Sequence, residues 1–234
     1  MRNISKKSNS VSEAIDTRLT CRAFLDKKVD KKIIEEIINV AKRAPSGGNL
    51  QPWHMWVVSG NPLKKFKKNI ADKIEKNPFG EGTEYKIYPP NLKDPYEARR
   101  KEVGSDMYDV LKIPKEDKKG RLKQFRKNFE FFGAPVAMFF AIDRQMQEGQ
   151  WSDLGMFIQS IMLLARERGL HTAPQEAWAL WYKSIGEFLK IPKELMLFCG
   201  MGIGYADTNE PINSFRSKRE DIENFTNFSA DLKE

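Results

Sequence analysis

The chain has 234 residues, with 40 lysines and arginines against 32 aspartates and glutamates, which gives a formal net charge of +8. Hydrophobic residues make up 40% of it, and no apolar run approaches the ~20 residues that a transmembrane helix requires. The polar N-terminus, MRNISKKSNS, lacks the apolar stretch of a secretory signal. We therefore expect a cytoplasmic protein that does not associate with a membrane.

Composition also argues against two kinds of partner. Lysines are scattered through the polar stretches with acidic residues between them, and no arginine-rich arm stands out, so we expect no nucleic-acid partner. Cys21 and Cys199 lie far apart in sequence, and the two histidines are His54 and His171. This usage predicts neither a metal site nor a structural disulfide.

The first half of the chain predicts two helices and a strand. Residues 31–42 repeat apolar side chains every three or four positions, which indicates a helix. That helix should end near Ala44, because Pro45 disfavours helical geometry in the residue before it. Residues 53–59 are rich in β-branched and aromatic side chains and predict a strand. A lysine-rich amphipathic helix over 63–76 follows.

The middle of the chain begins with a long loop. Residues 78–95 are rich in proline, and loops of that length inside a compact domain are usually functional or mobile. Helices are predicted over 96–111 and 115–131. The continuous apolar run at 135–142 has the length of a strand and predicts a buried one.

The C-terminal part predicts two more helices and one strand. Residues 153–168 carry apolar side chains on more than one face, so this helix should be buried nearly all round, with Ser152 or Asp153 as its N-cap. A helix over 176–190 and a core strand over 195–203 follow. The polar tail beyond them is too long to be simple fraying.

Strands interleaved with about twice as much helix predict an α+β or α/β fold. Three strands are convincing. A three-stranded sheet between so many apolar helices suggests that a second subunit supplies helical surface or an extra strand.

The first stretch that could carry chemistry contains Arg18, Thr20 and Arg22. Two arginines four residues apart, with a hydroxyl between them, would direct both guanidinium groups at one anion if the segment forms a helical turn. The alternative is a pair of solvated surface arginines.

Two other stretches stand out. Residues 44–54 join a helix to a strand through two glycines, a serine and an asparagine, and such a loop lets backbone N–H groups approach a ligand closely. The alternative is an ordinary turn, which does not explain Asn49, Gln51 and Trp53 at alternate positions. Residues 213–219 supply three cations and two hydroxyls, which alone is more typical of a solvated charge run.

Together these stretches resemble the nitroreductase family of FMN enzymes. The block from Ala44 to Trp53 matches the family's A-P-S-x-x-N-x-Q-P-W motif residue for residue, and it is the most specific part of the resemblance. The other matching segments are Arg18, Thr20, Arg22 and Phe24 in R-x-S/T-x-R/K-x-F, then Gly169-Leu170 followed by 174–177, then G-x-G-Y at 202–205, and finally Arg219.

The resemblance implies an α+β fold with a central mixed sheet flanked by helices. It implies one FMN-binding domain over 1–234, with a variable insert at about 78–132 that covers the flavin and a C-terminal arm at about 206–234. The protein should be a domain-swapped homodimer in which this arm extends over the partner.

The resemblance also implies where FMN binds. Arg18, Thr20 and Arg219 belong at the phosphate; Ser217 stands where relatives often carry lysine, so Arg216 or Lys218 is the expected substitute. The loop at 45–51 should approach the flavin held mainly by the other subunit, and a backbone N–H near Glu176 should face flavin nitrogen 5. The expected cofactor-binding residues are Arg18, Leu19, Thr20, Arg22, Pro45, Ser46, Gly47, Asn49, Gln51, Pro174, Gln175, Glu176, Ala177, Arg216 and Arg219.

The reaction implied by the resemblance is ping-pong hydride transfer from NADH or NADPH, through the flavin, to a nitroaromatic or quinone-like acceptor. The chemistry is centred on the flavin, so no catalytic side chain is expected. Candidates for the substrate pocket are Tyr108, Phe129 and Trp178, although packing of the insert onto the core is the preferred interpretation for Phe129.

Two other functions are compatible with bound FMN. One is reductive dehalogenation of the iodotyrosine deiodinase type, whose lid glutamate, tyrosine and lysine are poorly matched by the adjacent Glu84, Tyr85 and Lys86. The other is a redox sensor that binds FMN without turnover. A basic nucleic-acid binder is the least favoured interpretation.

Overall fold

A computed structural model describes residues 4–229 of the chain and contains one four-stranded sheet. Its strands are β1 (Trp53–Ser59), β2 (Val136–Asp143), β3 (His171–Gln175) and β4 (Leu195–Gly204), in the order β1-β2-β4-β3. All three strand pairs are antiparallel, so the expectation of a mixed sheet is wrong for this chain. A parallel pairing occurs as an isolated bridge between Thr20 and Thr172.

The fourth strand comes from the chain itself, not from a second subunit. β3 was missed because it has five residues, begins with a histidine and a threonine, and contains Pro174. Proline cannot donate to a strand ladder and is confined to the edges of sheets. β3 is an edge strand, because it pairs with β4 alone, and Pro174 is therefore tolerated there.

Seven α-helices surround the sheet within the described residues. Two predicted helices are partly 3₁₀. The segment at 115–131 changes to a 3₁₀ helix after Arg126, which continues to Gly133, and the segment at 176–190 begins as a 3₁₀ helix that lasts until Tyr182. The helices are α1 (Val11–Thr17), α2 (Lys31–Ala41), α3 (Gly60–Lys76), α4 (Tyr96–Val110), α5 (Lys118–Arg126), α6 (Glu148–Glu167) and α7 (Tyr182–Leu189).

Helix α6 starts five residues earlier than the periodicity predicts. Its N-cap is Gln147, whose side chain forms a reciprocal capping box with Gln150. Asp153, an expected cap, is instead buried inside the helix and accepts a hydrogen bond from the Gly47 N–H at 3.1 Å. The glutamine cap was missed because the preferred capping residues are Ser, Thr, Asp and Asn.

The sheet separates two hydrophobic cores. One face packs against α2 and α6 through side chains such as Ile37 and Phe157. The other face packs against α3 and the 3₁₀ segments through Phe66, Phe131 and Trp178. Each fully buried side chain of this size contributes about 1.5–3 kcal/mol of transfer free energy, so both layers hold the sheet in place. No helix within residues 4–229 is long and apolar enough to cross a membrane.

The glycines of β4 permit this close packing. A Cβ atom on Gly200 would lie 2.4 Å from Cδ1 of Trp178, and one on Gly202 would lie 2.9 Å from the Cβ of Ala134. Both distances are far below normal contact. The glycine-rich strand therefore lets Trp178 and the 127–133 segment lie directly on the sheet.

Candidate active site

A cavity of about 560 Å³ lies where α1 ends, and we call it the arginine cavity. The segment that follows α1 is extended, with bridges at Thr20 and Phe24, so the helical turn considered for Arg18 to Arg22 does not form. The extended segment still brings the two arginines together. Leu19 and Cys21 are buried, and Arg18, Thr20 and Arg22 line the cavity, with Leu19 also on its wall. Both guanidinium groups thus border one space.

The C-terminal tail completes this cavity. Arg216 donates hydrogen bonds to the backbone carbonyls of Arg18 and Asp16, and Ser217 and Arg219 also line the cavity. The Nη1 of Arg219 donates to Oγ of Ser217 at 2.7 Å. Residues nearly 200 positions apart in sequence are therefore brought to one site.

The electrostatics of the arginine cavity favour an anion. Burial lowers the pKa of Arg18, and the positive charges of Arg219 and Arg216 lower it further. Because like charges this close repel one another, a bound phosphate would relieve the repulsion. Arginine's planar fork also matches phosphate geometry, so the residues present fit the phosphate end of FMN.

A second cavity, of about 710 Å³, is mostly apolar, and we call it the apolar cavity. The end of β3 and the start of the 176–181 helix form one wall. The insert contributes four residues from its loop and from the region of α5, so the expected variable segment does border this space. The cavity is lined by Ile87, Tyr88, Phe125, Asn128, Gly155, Ile158, Pro174, Gln175, Glu176, Ala177, Leu180, Phe198 and Cys199.

Strand β3 and helix α6 connect the two cavities. Thr172 on β3 bridges Thr20 of the arginine cavity, while Gln175, three residues further on, lines the apolar cavity. At about 3.3 Å per residue this separation is about 10 Å. On α6, Ile158 faces the apolar cavity and Gln159 faces the arginine cavity. The arrangement suits an elongated ligand with an anionic end and a flat apolar end.

The loop at 78–95 is held over the apolar cavity by specific bonds. The hydroxyl of Tyr85 donates to the Phe198 carbonyl at 2.6 Å, and Glu84 pairs with Arg144 at 2.6 Å. The Glu81 carboxylate accepts hydrogen bonds from the N–H and the hydroxyl of Ser184 at the start of α7. These anchors fix the base of the loop and leave Ile87 and Tyr88 on the cavity wall.

Glu176 is the acidic residue of the apolar cavity. Its side chain is half-buried, and burial raises the pKa of its carboxyl group. The ionisable neighbours are Tyr85 and Cys199, and in both burial and then the Glu176 charge raise the pKa. The wall thus carries an acid without a neutralising cation among its lining residues.

The glycine-containing loop at 45–51 borders neither cavity. Pro45, Gly47, Asn49 and Gln51 are exposed, and the Gln51 N–H donates to Oγ of Ser46 at 3.0 Å. Asn49 and Gln51 adopt positive φ angles of 56° and 49°, a region that costs energy for a non-glycine residue. The loop is therefore an exposed segment with a defined backbone conformation, and it does not line either cavity of its own chain.

The structure does not place the three expected substrate-pocket residues on the apolar cavity. Trp178 is fully buried and stacks on Phe131 with ring centroids 4.4 Å apart, and Phe129 is buried against it. Trp178 is a core residue because β4 carries Gly200 where its ring packs, and Phe129 packs against Trp178 in turn. Tyr108 lies under the guanidinium of Arg121, outside the cavity lining.

Sequence reasoning missed several residues that do line the apolar cavity. Gly155 and Ile158 lie within the segment predicted as a buried helix, and Phe198 and Cys199 lie within the segment predicted as a core strand. The sequence did contain a signal for Gly155 and Ile158. Their helix is apolar on more than one face, so one face packs on the sheet and another is left to line a cavity.

Neither histidine borders the cavities. His171 is buried and its Nε2 lies 2.8 Å from the Ile4 carbonyl, while His54 is exposed on β1. Within residues 4–229 no group of three or more His, Cys, Asp or Glu side chains could hold a metal ion.

Comparison with known proteins gives a consistent family. The family model "Nitroreductase family" matches residues 15–205. The chain is 37% identical to a 4-nitrobenzoate reductase of Pseudomonas putida, over 92% of this chain and 93% of that protein. It is 33% identical to a chloronitrobenzene nitroreductase of Comamonas testosteroni, over 93% and 96%.

A solved structure with the same fold belongs to the FMN- and NADPH-dependent nitroreductase NfnB from Sphigopyxis sp. strain HMH. Its TM-score is 0.91 at 40% identity, over 94% of this chain and 99% of that one. The fold and nearly the whole length of the chain are therefore shared with this enzyme.

Proposed function

The chain belongs to the nitroreductase family, and from that premise we infer that it reduces nitroaromatic compounds with electrons from NADH or NADPH through bound FMN. The observation that carries this inference is that the arginine cavity and the apolar cavity lie next to each other along β3 and α6. Together the two cavities offer cations for a phosphate and an apolar wall for a flat ring. Quinone-like acceptors fit the same description.

The arginine cavity is proposed to hold the FMN phosphate. Arg18, Thr20 and Arg219 supply charge and a hydroxyl there, and Arg216 replaces the expected lysine. Leu19, which is buried, anchors the segment between them. Arg22 extends toward the pyrimidine edge of the flavin, where a positive charge would stabilise the reduced ring.

The wall from Pro174 to Ala177 is proposed to carry the flavin ring. The 3₁₀ helix at 176–181 begins at Glu176, and the first N–H groups of a helix have no partner within it. These groups are therefore available to a ring nitrogen. Bound FMN supplies hydride acceptance and donation, which the side chains present cannot perform; the protein holds the ring and excludes water from it.

We further propose a cytoplasmic homodimer in which the two sites lie at the interface. The exposed loop containing Pro45, Ser46, Gly47, Asn49 and Gln51 would reach the flavin of the partner. Residues 216–220 lie against their own chain, where Lys218 pairs with Glu102 on α4. The arm that would extend over the partner thus begins near Ile222, and residues 230–234 lie outside the described part of the chain.

Exposed apolar side chains support this dimer. Such residues occur on α1, α2, α6 and the tail, and leaving them in water is unfavourable. They include Val11, Ile15, Val40, Leu50, Met156, Ile222, Phe225 and Phe228. Sedimentation or light scattering should give twice the chain mass of 27.1 kDa.

The deiodinase alternative has little structural support. Glu84 is paired with Arg144, and the hydroxyl of Tyr85 is bonded to a backbone carbonyl. Neither is free to grip the amino and carboxylate groups of an amino acid. A redox sensor would bind FMN without catalytic turnover, so kinetic measurements distinguish it from the proposed enzyme.

Steady-state kinetics test the proposed function. Initial rates measured with NADPH against nitrobenzene, and repeated with NADH and with a benzoquinone, should give the parallel double-reciprocal lines of a ping-pong reaction. Intersecting lines would show that the nicotinamide and the acceptor are bound at the same time, and would reject a single binding site that they occupy in turn. An absence of turnover with FMN bound would favour the sensor.

A further inference from the structure

The position of Glu176 suggests a role for its side chain in addition to the role of its backbone. The residue begins the 176–181 helix, and its half-buried side chain lines the apolar cavity. Within residues 4–229 no side chain forms an ion pair with it, in contrast to Glu84, which is held by Arg144. A carboxyl group without a structural partner, on the wall that meets the flavin ring, is placed for chemistry.

Three other residues near Glu176 carry an acidic proton. Tyr88, which also lines the cavity, packs its ring against the guanidinium of Arg100 on α4, and the other two are bonded or buried. From the loop at 78–95, the Tyr85 hydroxyl already donates to the Phe198 carbonyl. From β4, the thiol of Cys199 is almost completely buried, and burial raises its pKa. Gln175 and Asn128 do not titrate, and α6 contributes only Gly155 and Ile158 to this cavity.

The environment also favours the protonated form of Glu176. Burial raises the pKa of this carboxyl group, and no opposing charge is present on the cavity lining. A carboxyl group that holds its proton more tightly than it would in water is better suited to act as a general acid. The direction of the shift agrees with the geometry.

We propose that the Glu176 carboxyl group is the acid that protonates the acceptor while the acceptor takes its hydride. The proposal rests on the proposed function and deepens it. A nitro group that gains a hydride on one oxygen becomes an anion; transfer of the Glu176 proton to the other oxygen gives the neutral N,N-dihydroxyarylamine. Loss of water from that species gives the nitroso compound, and the Glu176 carboxylate regains its proton from solvent.

The same role applies to a quinone acceptor. Hydride addition to one carbonyl oxygen leaves the other as a phenolate, and the proton of Glu176 completes the hydroquinone. Both acceptor classes require one hydride and one proton for each two-electron reduction. With Glu176 as the acid, the site should accept compounds that develop a negative charge on oxygen when they take a hydride.

The test isolates the second half-reaction. Enzyme loaded with FMN is reduced anaerobically with dithionite and mixed rapidly with nitrobenzene from about pH 5 to about pH 9. For the native protein, the rate constant should fall about tenfold per pH unit above the pKa of Glu176. In Glu176→Gln it should be about 100-fold lower at the acid end of this range, where the native carboxyl group keeps its proton, and independent of pH, while Glu176→Asp should restore the pH dependence.

A matched control removes a carboxylate outside the cavity. Glu187 lies on α7 with an exposed side chain that faces Lys73 at 3.6 Å, and Glu187→Gln should keep the native rate and pH profile. A native profile in Glu176→Gln would overturn the proposal, because a merely structural carboxylate would leave the pH dependence unchanged.

A second readout does not depend on turnover. Infrared difference spectra of the FMN-loaded protein between acid and neutral pH should contain a carbonyl band of a protonated carboxylic acid that is lost in Glu176→Gln. No such difference between the two proteins would contradict the proposal. Failure of the proposed function is distinguished separately, because NADH or NADPH would then fail to reduce the bound FMN, whereas dithionite reduction still permits both measurements.

Discussion

The side-chain oxygen of Asn213 accepts a hydrogen bond from the backbone N–H of Arg22 at 2.9 Å, across 191 positions of the sequence. The amide group of Asn213 also donates to the carbonyls of Ala23 and Asp207, each at 2.8 Å. Asn213 is buried, so these bonds are shielded from water. Asn213 therefore helps to shape the arginine cavity, because it joins the tail to the segment after α1, where Arg216 also bonds to the carbonyls of Arg18 and Asp16.

Replacing this asparagine should damage both stability and FMN binding. In Asn213→Ala, the buried N–H of Arg22 and two carbonyls lose their partner, which should lower the free energy of unfolding by about 2 kcal/mol. Urea denaturation measures this change, and flavin fluorescence measures FMN release. The exposed Asn209→Ala is the matched control; equal effects of both substitutions would contradict the role assigned to Asn213.

Removal of Arg18 should weaken FMN binding more than it changes turnover of the FMN-bound fraction. A charge-assisted hydrogen bond contributes about 1.5–3 kcal/mol, so Arg18→Ala should raise the Kd for FMN about 10- to 100-fold. Titration of the apoprotein gives the Kd, and rates at saturating FMN give turnover. Arg126→Ala, which removes an exposed arginine at the end of α5, should leave both unchanged; an unaltered Kd in Arg18→Ala would remove the phosphate site from this cavity.

Burial of His171 should make the protein sensitive to acid. Burial, and then the charge of Arg166, lower the pKa of His171 to about 4 from its ordinary value of 6.5. The unfolded chain therefore binds the proton first, and stability that is fully present above pH 6.5 is lost as the pH falls toward 4. The loss attributable to His171 is about 3 kcal/mol.

Thermal unfolding as a function of pH tests this prediction. His171→Gln can still donate to the Ile4 carbonyl, and its melting temperature should fall less between neutral pH and about pH 4.5 than that of the native protein. His54→Gln, at an exposed position, should retain the native slope. The same slope in all three proteins would assign the acid sensitivity to other groups.

Shortening the tail should separate its two roles. A chain that ends after Ser214 keeps the buried Ile212 and Asn213, but lacks the two cavity arginines and the exposed apolar side chains. It should fold, bind FMN weakly and be monomeric. A chain that ends after Asp221 keeps both arginines and should bind FMN more tightly than the shorter one. A stable, flavin-loaded dimer that ends after Ser214 would refute the account of the tail.

The sequence predicted the elements whose signal is local. The β-branched and aromatic segment at 53–59, the apolar runs at 135–142 and 195–203 and the helical periodicity at 31–42 each appear as the predicted element, and no boundary shifts by more than one residue. Each of these segments repeats its own signal several times: the strands contain runs of apolar, β-branched or aromatic side chains, and the helix buries Ile34, Ile37 and Ala41 along one face.

The features that the sequence did not predict depend on tertiary contacts. β3 exists because β4 pairs with it along one edge, and its five residues carry no pattern of their own. Arg18 and Arg22 line the same cavity, as predicted, but they do so from an extended segment and not from the helical turn that their spacing suggested. Trp178 looked like a pocket aromatic because its sequence position is close to the cavity, but Gly200 leaves a space that only its ring fills.

The candidate site was predictable in its parts and not in its assembly. The spacing of Arg18, Thr20 and Arg22 predicted a shared anion, and the family resemblance added Arg216 and Arg219. All five residues border one cavity. Their convergence requires the Asn213 hydrogen bonds, which no local pattern reveals. The role of the loop at 45–51 at the partner's flavin is a prediction, and the oligomeric state of the protein tests it.

The absorption spectrum of the purified protein, recorded before and after anaerobic addition of NADH or NADPH, tests the central claim most directly. An FMN-dependent reductase should show the bands of oxidised flavin, and these should bleach on addition of the nicotinamide and return when a nitroarene is added. A colourless protein that cannot take up FMN, or flavin bands that persist with both nicotinamides, would contradict the claim.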